Sequence, residues 1–184
     1  MISLLLKIAR TPKSILPIND LEREQTELIA LGEKIQDNVK RLFKGSLAIR
    51  QVDAGSDNAG EQELVALSNA FYDVERFGIH FVASPRHADM LLITGPVTRN
   101  MFKALQRSDE ATPGPKIIVA VGDDAIDGGI YKGSYSVLDG VENNLPVVNY
   151  RIPGDPPSPM TILYHILTIL EVHAEHHLET RSSE

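Results

Sequence analysis

Three aspartates stand just past three separate apolar segments, each in a turn-rich loop. Asp57 lies in Gly55-Ser56-Asp57-Asn58-Ala59-Gly60-Glu61. Asp124 follows Asp123 in Val121-Gly122-Asp123-Asp124, and Asp155 lies in Pro153-Gly154-Asp155-Pro156-Pro157. The segments before these loops, residues 46–53, 116–121 and 146–152, read as strands. Loops that leave the carboxyl ends of parallel strands gather on one sheet edge, where α/β folds place their sites. The three loops are therefore expected to converge, although they are far apart in sequence. Carboxylates brought together repel, and the repulsion raises the pKa of some of them. Such a pocket has three open fates. It can hold water, it can receive an arginine or lysine from this chain or a partner, or it can bind a hard cation such as Mg²⁺ or Ca²⁺ at Asp57, Asp124 and Asp155. Water or a basic side chain is the reading preferred here.

The elements that must hold these loops follow from patterning. Asn19 or Asp20 is placed to cap a helix reaching about Phe43. Its apolar residues Leu21, Leu28, Ile35, Val39 and Leu42 share one side, so it is expected to dock on something, its own sheet in preference to a partner helix. Ser46–Asp53 reads as a strand, and a helix follows from Glu61 to about Ser68. Phe71–Phe77 reads as a short helical piece. Ile79–Ala83 and Met90–Thr94 read as strands, and Val97–Arg107 reads as a helix. Lys116–Val121 is a buried strand and Pro146–Ile152 another. Ser158 caps a last helix, with Pro159 at its first position, that runs to about Leu178. Short continuous apolar strands alternating with helices imply an α/β fold: a mostly parallel sheet with helices on both faces. An N-terminal arm and helix (1–45), a main domain (46–178) and a polar tail (179–184) are expected.

Composition narrows the chemistry. The chain has 184 residues, 42% of them hydrophobic and 23% charged, enough for a real core. Its net charge of −7 argues against nucleic acid as a partner. It has no cysteine, which excludes disulfides, thiolate metal sites and a cysteine nucleophile. The apolar Met1–Arg10 arm has no signal-peptide layout. It is expected either to pack on its own domain or fray, or to touch a membrane subunit or the lipid interface. Asp127-Gly128-Gly129 lacks the lysine and spacing of a phosphate-binding loop. His173 and His177 share a helix face, but a solvated tail explains them better than a metal site.

Several motifs together carry a family resemblance. They include Ser46–Ser56, Tyr72-Asp-Val-Glu-Arg-Phe-Gly-Ile-His80, Ala83-Ser-Pro-Arg-His-Ala-Asp89, Thr94-Gly-Pro-Val-Thr-Arg99, Val119–Asp123, Ile126-Asp-Gly-Gly129 and Pro156-Pro-Ser-Pro159. Across most of the chain these resemble the small subunit of group 4 membrane-bound nickel–iron hydrogenases. That family includes the 20 kDa subunit of NADH:quinone oxidoreductase, respiratory complex I. The resemblance implies a flavodoxin-like α/β domain holding a [4Fe–4S] cluster. The implied ligand positions are Asp57, Gly60, Asp124 and Asp155, so all four depart from the cysteines of the family pattern.

The same resemblance implies peripheral membership of a complex on the inner face of the cytoplasmic membrane. The implied partners are membrane subunits and a large-subunit homologue like that of hydrogenases or the 49 kDa subunit of complex I. It links an acid at Glu61 with proton movement, although a first-turn glutamate favoured by the helix dipole explains it equally. Arg86 and His87 either meet the large subunit or order a tight loop. Arg99 is expected at a helix start with a structural partner. With no thiolate available, no cofactor is expected. The preferred expectation is a cluster-free structural subunit. The alternatives are an electron-transfer oxidoreductase subunit and a carboxylate pocket for a divalent cation.

Overall fold

The computed structural model describes residues 18–182. Residues 1–17, which include the expected Met1–Arg10 arm, and the last two residues lie outside the described residues, as do the side chains of Leu21 and His177. Five parallel strands form one sheet: β1 (Leu47–Asp53), β2 (Ile79–Phe81), β3 (Met90–Thr94), β4 (Ile117–Val121) and β5 (Tyr150–Ile152). Their spatial order is β2-β1-β3-β4-β5, the doubly wound order of flavodoxin-like sheets. The helices are α1 (Ile18–Phe43), α2 (Ala59–Ala66), α3 (Phe102–Ala111), α4 (Asp123–Asp127) and α5 (Pro159–Ser182).

β3 and β4 are buried at every residue, because helices cover both faces and each strand sends alternate side chains to opposite sides. Met90, Leu92, Ile117, Val119 and Val121 join one core with α1, α2 and α5. Leu91, Ile93, Ile118 and Ala120 join a second core with Val97, Leu105 of α3 and Ala125 of α4. Each fully buried Leu or Ile stabilises the fold by about 1.5–3 kcal/mol relative to exposure.

Helix α1 packs on its own domain, chiefly along α5, and shares one core with the sheet. Leu28, Ile35 and Val39 are fully buried while Glu24, Glu27, Lys34 and Arg41 face solvent. Gly32 sits mid-helix, where glycine costs about 1 kcal/mol relative to alanine. Its missing side chain leaves the space that the Phe77 ring fills. The Arg76 guanidinium lies 4.5 Å from the centroid of that ring. In α5, the Ser158 hydroxyl accepts the Thr161 N–H at 3.3 Å, closing the helix start. Ile162, Ile166 and Leu170 are buried one turn apart. The helix runs to Ser182, beyond the expected end near Leu178.

Several expected boundaries shift. The helix expected from Val97 begins only at Phe102. Val97 has φ 52°, and Thr98 forms an antiparallel bridge with Val137 while its N–H bonds to the Ala54 carbonyl at 2.7 Å. Those tertiary bonds outweigh helix propensity. The strand expected from Pro146 shortens to Tyr150–Ile152. Pro146 has no N–H to donate, and the Asn149 side chain accepts the Ile118 N–H at 2.8 Å in place of a backbone rung. The helical piece expected at Phe71 is only a 3₁₀ turn, Val74–Phe77. The strand after it stops at Phe81.

The register matters most for the site. Asp53 lies opposite Thr94, Thr94 opposite Val121, and Val121 opposite Ile152. Four strands thus end level with one another. The loops starting at Ala54, Gly95, Gly122 and Pro153 leave from one edge.

Candidate functional site

The first loop is shaped by its own side chains. Asp53 Oδ1 accepts the N–H groups of Gly55 and Ser56 at 2.7 and 2.9 Å, turning the chain out of β1 in the manner of an Asx turn. Ser56 Oγ accepts the Asn58 N–H at 2.9 Å, and Asp57 Oδ1 accepts the Ala59 N–H at the same distance. Gly95 passes beneath with φ +84°, and a Cβ there would meet the Ser56 backbone. Gly60 falls in the first turn of α2, where an added Cβ would lie 3.1 Å from Thr94 Cγ2.

The second and third loops clasp each other. The Asp123 N–H bonds to the Gly154 carbonyl at 2.9 Å, and Asp123 Oδ1 accepts the Gly154 N–H at 3.0 Å. Asp123 therefore spends its carboxylate on backbone. Asp124, one residue on, turns inward. Its Oδ1 is buried without a hydrogen-bond partner. Burial first, and then the charges of Asp155, Asp57, Asp123 and Asp127, push its carboxyl up to about 6. Asp155 is exposed on the opposite rim.

The structure thus places Asp57, Gly60, Asp124 and Asp155 around one cleft, with Ser56 and Thr94 also in its lining. The water-sized space among them is about 20 Å³, room for about one molecule. Glu61 lies beneath it, 9% exposed, and accepts hydroxyl bonds from both Ser56 and Thr94. It is a buried hub joining the first loop to β3. Among the described residues, no ion pair involves Asp57, Asp124 or Asp155. Nor is any group of three His, Asp or Glu residues placed to hold one metal ion.

Other expected residues lie elsewhere. Arg86 and His87 are exposed on a 3₁₀ turn, Pro85–His87, just before the first residue of β3. They therefore sit at the amino end of the sheet, opposite the acids. Arg99 stands before α3 rather than at a helix start. Its Nε donates to the Tyr135 carbonyl at 2.6 Å, and its N–H donates to the Ser136 carbonyl at 2.9 Å. His173 Nδ1 lies 3.1 Å from the Tyr150 hydroxyl.

Sequence reasoning missed Tyr131. Its hydroxyl donates to Asp57 Oδ2 at 3.2 Å. The Asp57 bond and charge hold its phenol above the usual range. Beside it, Lys132 pairs with Asp127 at 2.8 Å, and that bond lowers the Asp127 carboxyl. No spacing rule links residues 57 and 131. The only local signal was the run of turn residues from Asp127 to Gly133.

Residues 58–169 match the model of the family described as NADH ubiquinone oxidoreductase, 20 Kd subunit. The chain is 44% identical over 122 residues to formate hydrogenlyase subunit 7 of Escherichia coli, covering 66% of this chain and 48% of that one. It is 39% identical over 120 residues to a probable membrane-bound hydrogenase subunit of Pyrococcus furiosus, covering 65% and 71%. The chain thus spans about half the length of the first relative and most of the second. A chain in the structure of a membrane-bound sulfane sulfur reductase, an archaeal respiratory membrane complex, superposes with a TM-score of 0.62. The two are 36% identical, and the match covers 74% of each.

Proposed function

The chain belongs to the NADH ubiquinone oxidoreductase 20 kDa subunit family, and from that premise we propose that it is a structural subunit that carries no electrons of its own. On this reading it docks on a large-subunit homologue at the periphery of a membrane complex. The observation that carries the reading is the donor set of the cleft. Asp57, Asp124 and Asp155 offer hard oxygen, and Gly60 offers no side chain. A [4Fe–4S] cluster is held by four soft thiolates, so these residues do not fit it.

Three further features support a docked, structural role. The relatives named above are described as a formate hydrogenlyase subunit, a probable membrane-bound hydrogenase subunit and a chain of an archaeal respiratory membrane complex. Among the described residues no helix is long and apolar enough to cross a membrane, and a peripheral position in a complex is consistent with that. Beside the cleft, Ile130 and Tyr135 are 76% and 90% exposed. Large apolar side chains standing this far into water suit a surface that a partner covers.

The test is anaerobic purification of the full chain, followed by incubation with iron, sulfide and reductant, then iron analysis and electron paramagnetic resonance. The expected result is no stoichiometric iron and no cluster signal. About four irons per chain with a cluster spectrum would overturn the proposal.

A further inference from the structure

The edge of the sheet farthest from β5 contains a notch. β2 ends at Phe81, opposite Ile49 of β1, and the last bond between them runs from the Val82 N–H to the Ile49 carbonyl at 2.8 Å. β1 continues for four more residues, paired on its other side with β3 as far as Asp53. In a parallel ladder, successive residues turn their backbone groups to alternate neighbours. Leu47 and Ile49 face β2, while Ala48 and Ala54 face β3. The alternation turns the N–H and C=O of Gln51 into the space that β2 has vacated.

That space is a groove of about 340 Å³, walled by Arg50, Gln51, Leu64, Val65, Phe81 and Val82 among others. Val65 of α2 is 62% exposed on its flank. Arg50 is the only charged residue in the lining, and its Nε is buried with no hydrogen-bond partner. A buried guanidinium donor without an acceptor costs free energy that a carboxylate would return.

We propose that this notch receives an extended segment of a partner subunit. The segment adds beside Gln51 as a short strand, burying an apolar side chain against Val65 and Phe81 and presenting an aspartate or glutamate to Arg50. Backbone bonds along a free strand edge supply affinity, and the flanking pocket and charge supply selectivity. The inference rests on the reading of the chain as one subunit of an assembly.

Hydrogen exchange tests it. The full chain, alone and within the assembly isolated from its own cells, is compared at the Gln51 amide. Exchange is expected to slow about tenfold or more in the assembly. Two variants probe the same contact. Val65→Asp alters an exposed position, so the free chain should keep its unfolding midpoint. Arg50→Met removes the guanidinium. Each is expected to weaken incorporation into the assembly and to restore fast exchange at Gln51 in the fraction that remains bound.

An intact assembly in which Gln51 exchanges as fast as in the free chain overturns the notch alone. So does a Val65→Asp chain that assembles and is protected like the native one. A chain found in its own cells only as a free monomer overturns both this inference and the structural-subunit reading. A protected Gln51 in a chain that binds stoichiometric iron supports the notch and overturns the other.

Discussion

Replacing Asp124 by asparagine isolates the electrostatic cost of the cleft. The folded protein raises this carboxyl from 3.8 to about 6, with burial as the largest cause and Asp155 the next. A carboxyl whose folded pKa is raised is favoured in its neutral form. Between pH 4 and 6 the native state therefore binds more protons than the unfolded chain, and stability falls as pH rises through that window. The full shift corresponds to about 3 kcal/mol at pH 8. Asp124 is only partly buried, so screening by water brings the expected penalty nearer 1 kcal/mol.

Asparagine keeps the shape and abolishes the charge. Asp124→Asn is therefore expected to be more stable than the native chain by about 1 kcal/mol at pH 8 and equally stable at pH 4. For a chain of this size, that is a rise of roughly 2–4 °C in the unfolding midpoint. Urea unfolding of both proteins at the two pH values reads it. An asparagine variant that gains nothing at pH 8, or gains equally at pH 4, would refute the account of a charge crowded by its neighbours.

Two other perturbations address the same rim. Gly60→Ala forces a Cβ to within 3.1 Å of Thr94 Cγ2, and Thr94 is buried at 1% exposure. A loss of about 1–2 kcal/mol is expected, and an unchanged urea midpoint would show that β3 yields freely. Asp57→Asn removes the charged hydrogen-bond acceptor, bond first and charge second, that holds the Tyr131 phenol high. Ultraviolet titration should show that phenol returning toward the ordinary tyrosine range, and an unmoved titration would place Tyr131 away from Asp57.

What sequence made visible was the part that local chemistry dictates. Met90–Thr94 and Lys116–Val121 read as strands because an uninterrupted apolar run has nowhere to go but between two covered faces. The glycines and aspartates after them marked the loops, since turns need their backbone freedom and short acceptors. The level ending of Asp53, Thr94, Val121 and Ile152 was not visible, because register is set by packing between segments far apart in the chain. The same holds for Thr98, drawn out of a helix by Ala54 and Val137. Helix α4 escaped notice because five residues, Asp123–Asp127, show no period at all.

The clasp between Asp123 and Gly154 has a consequence for the origin of the rim's shape. Peptide groups stitch the second loop to the third, and Asp53 curls the first with its own oxygen. In a frame sewn from such stitches, the polypeptide's own peptide groups draw the outline of the rim.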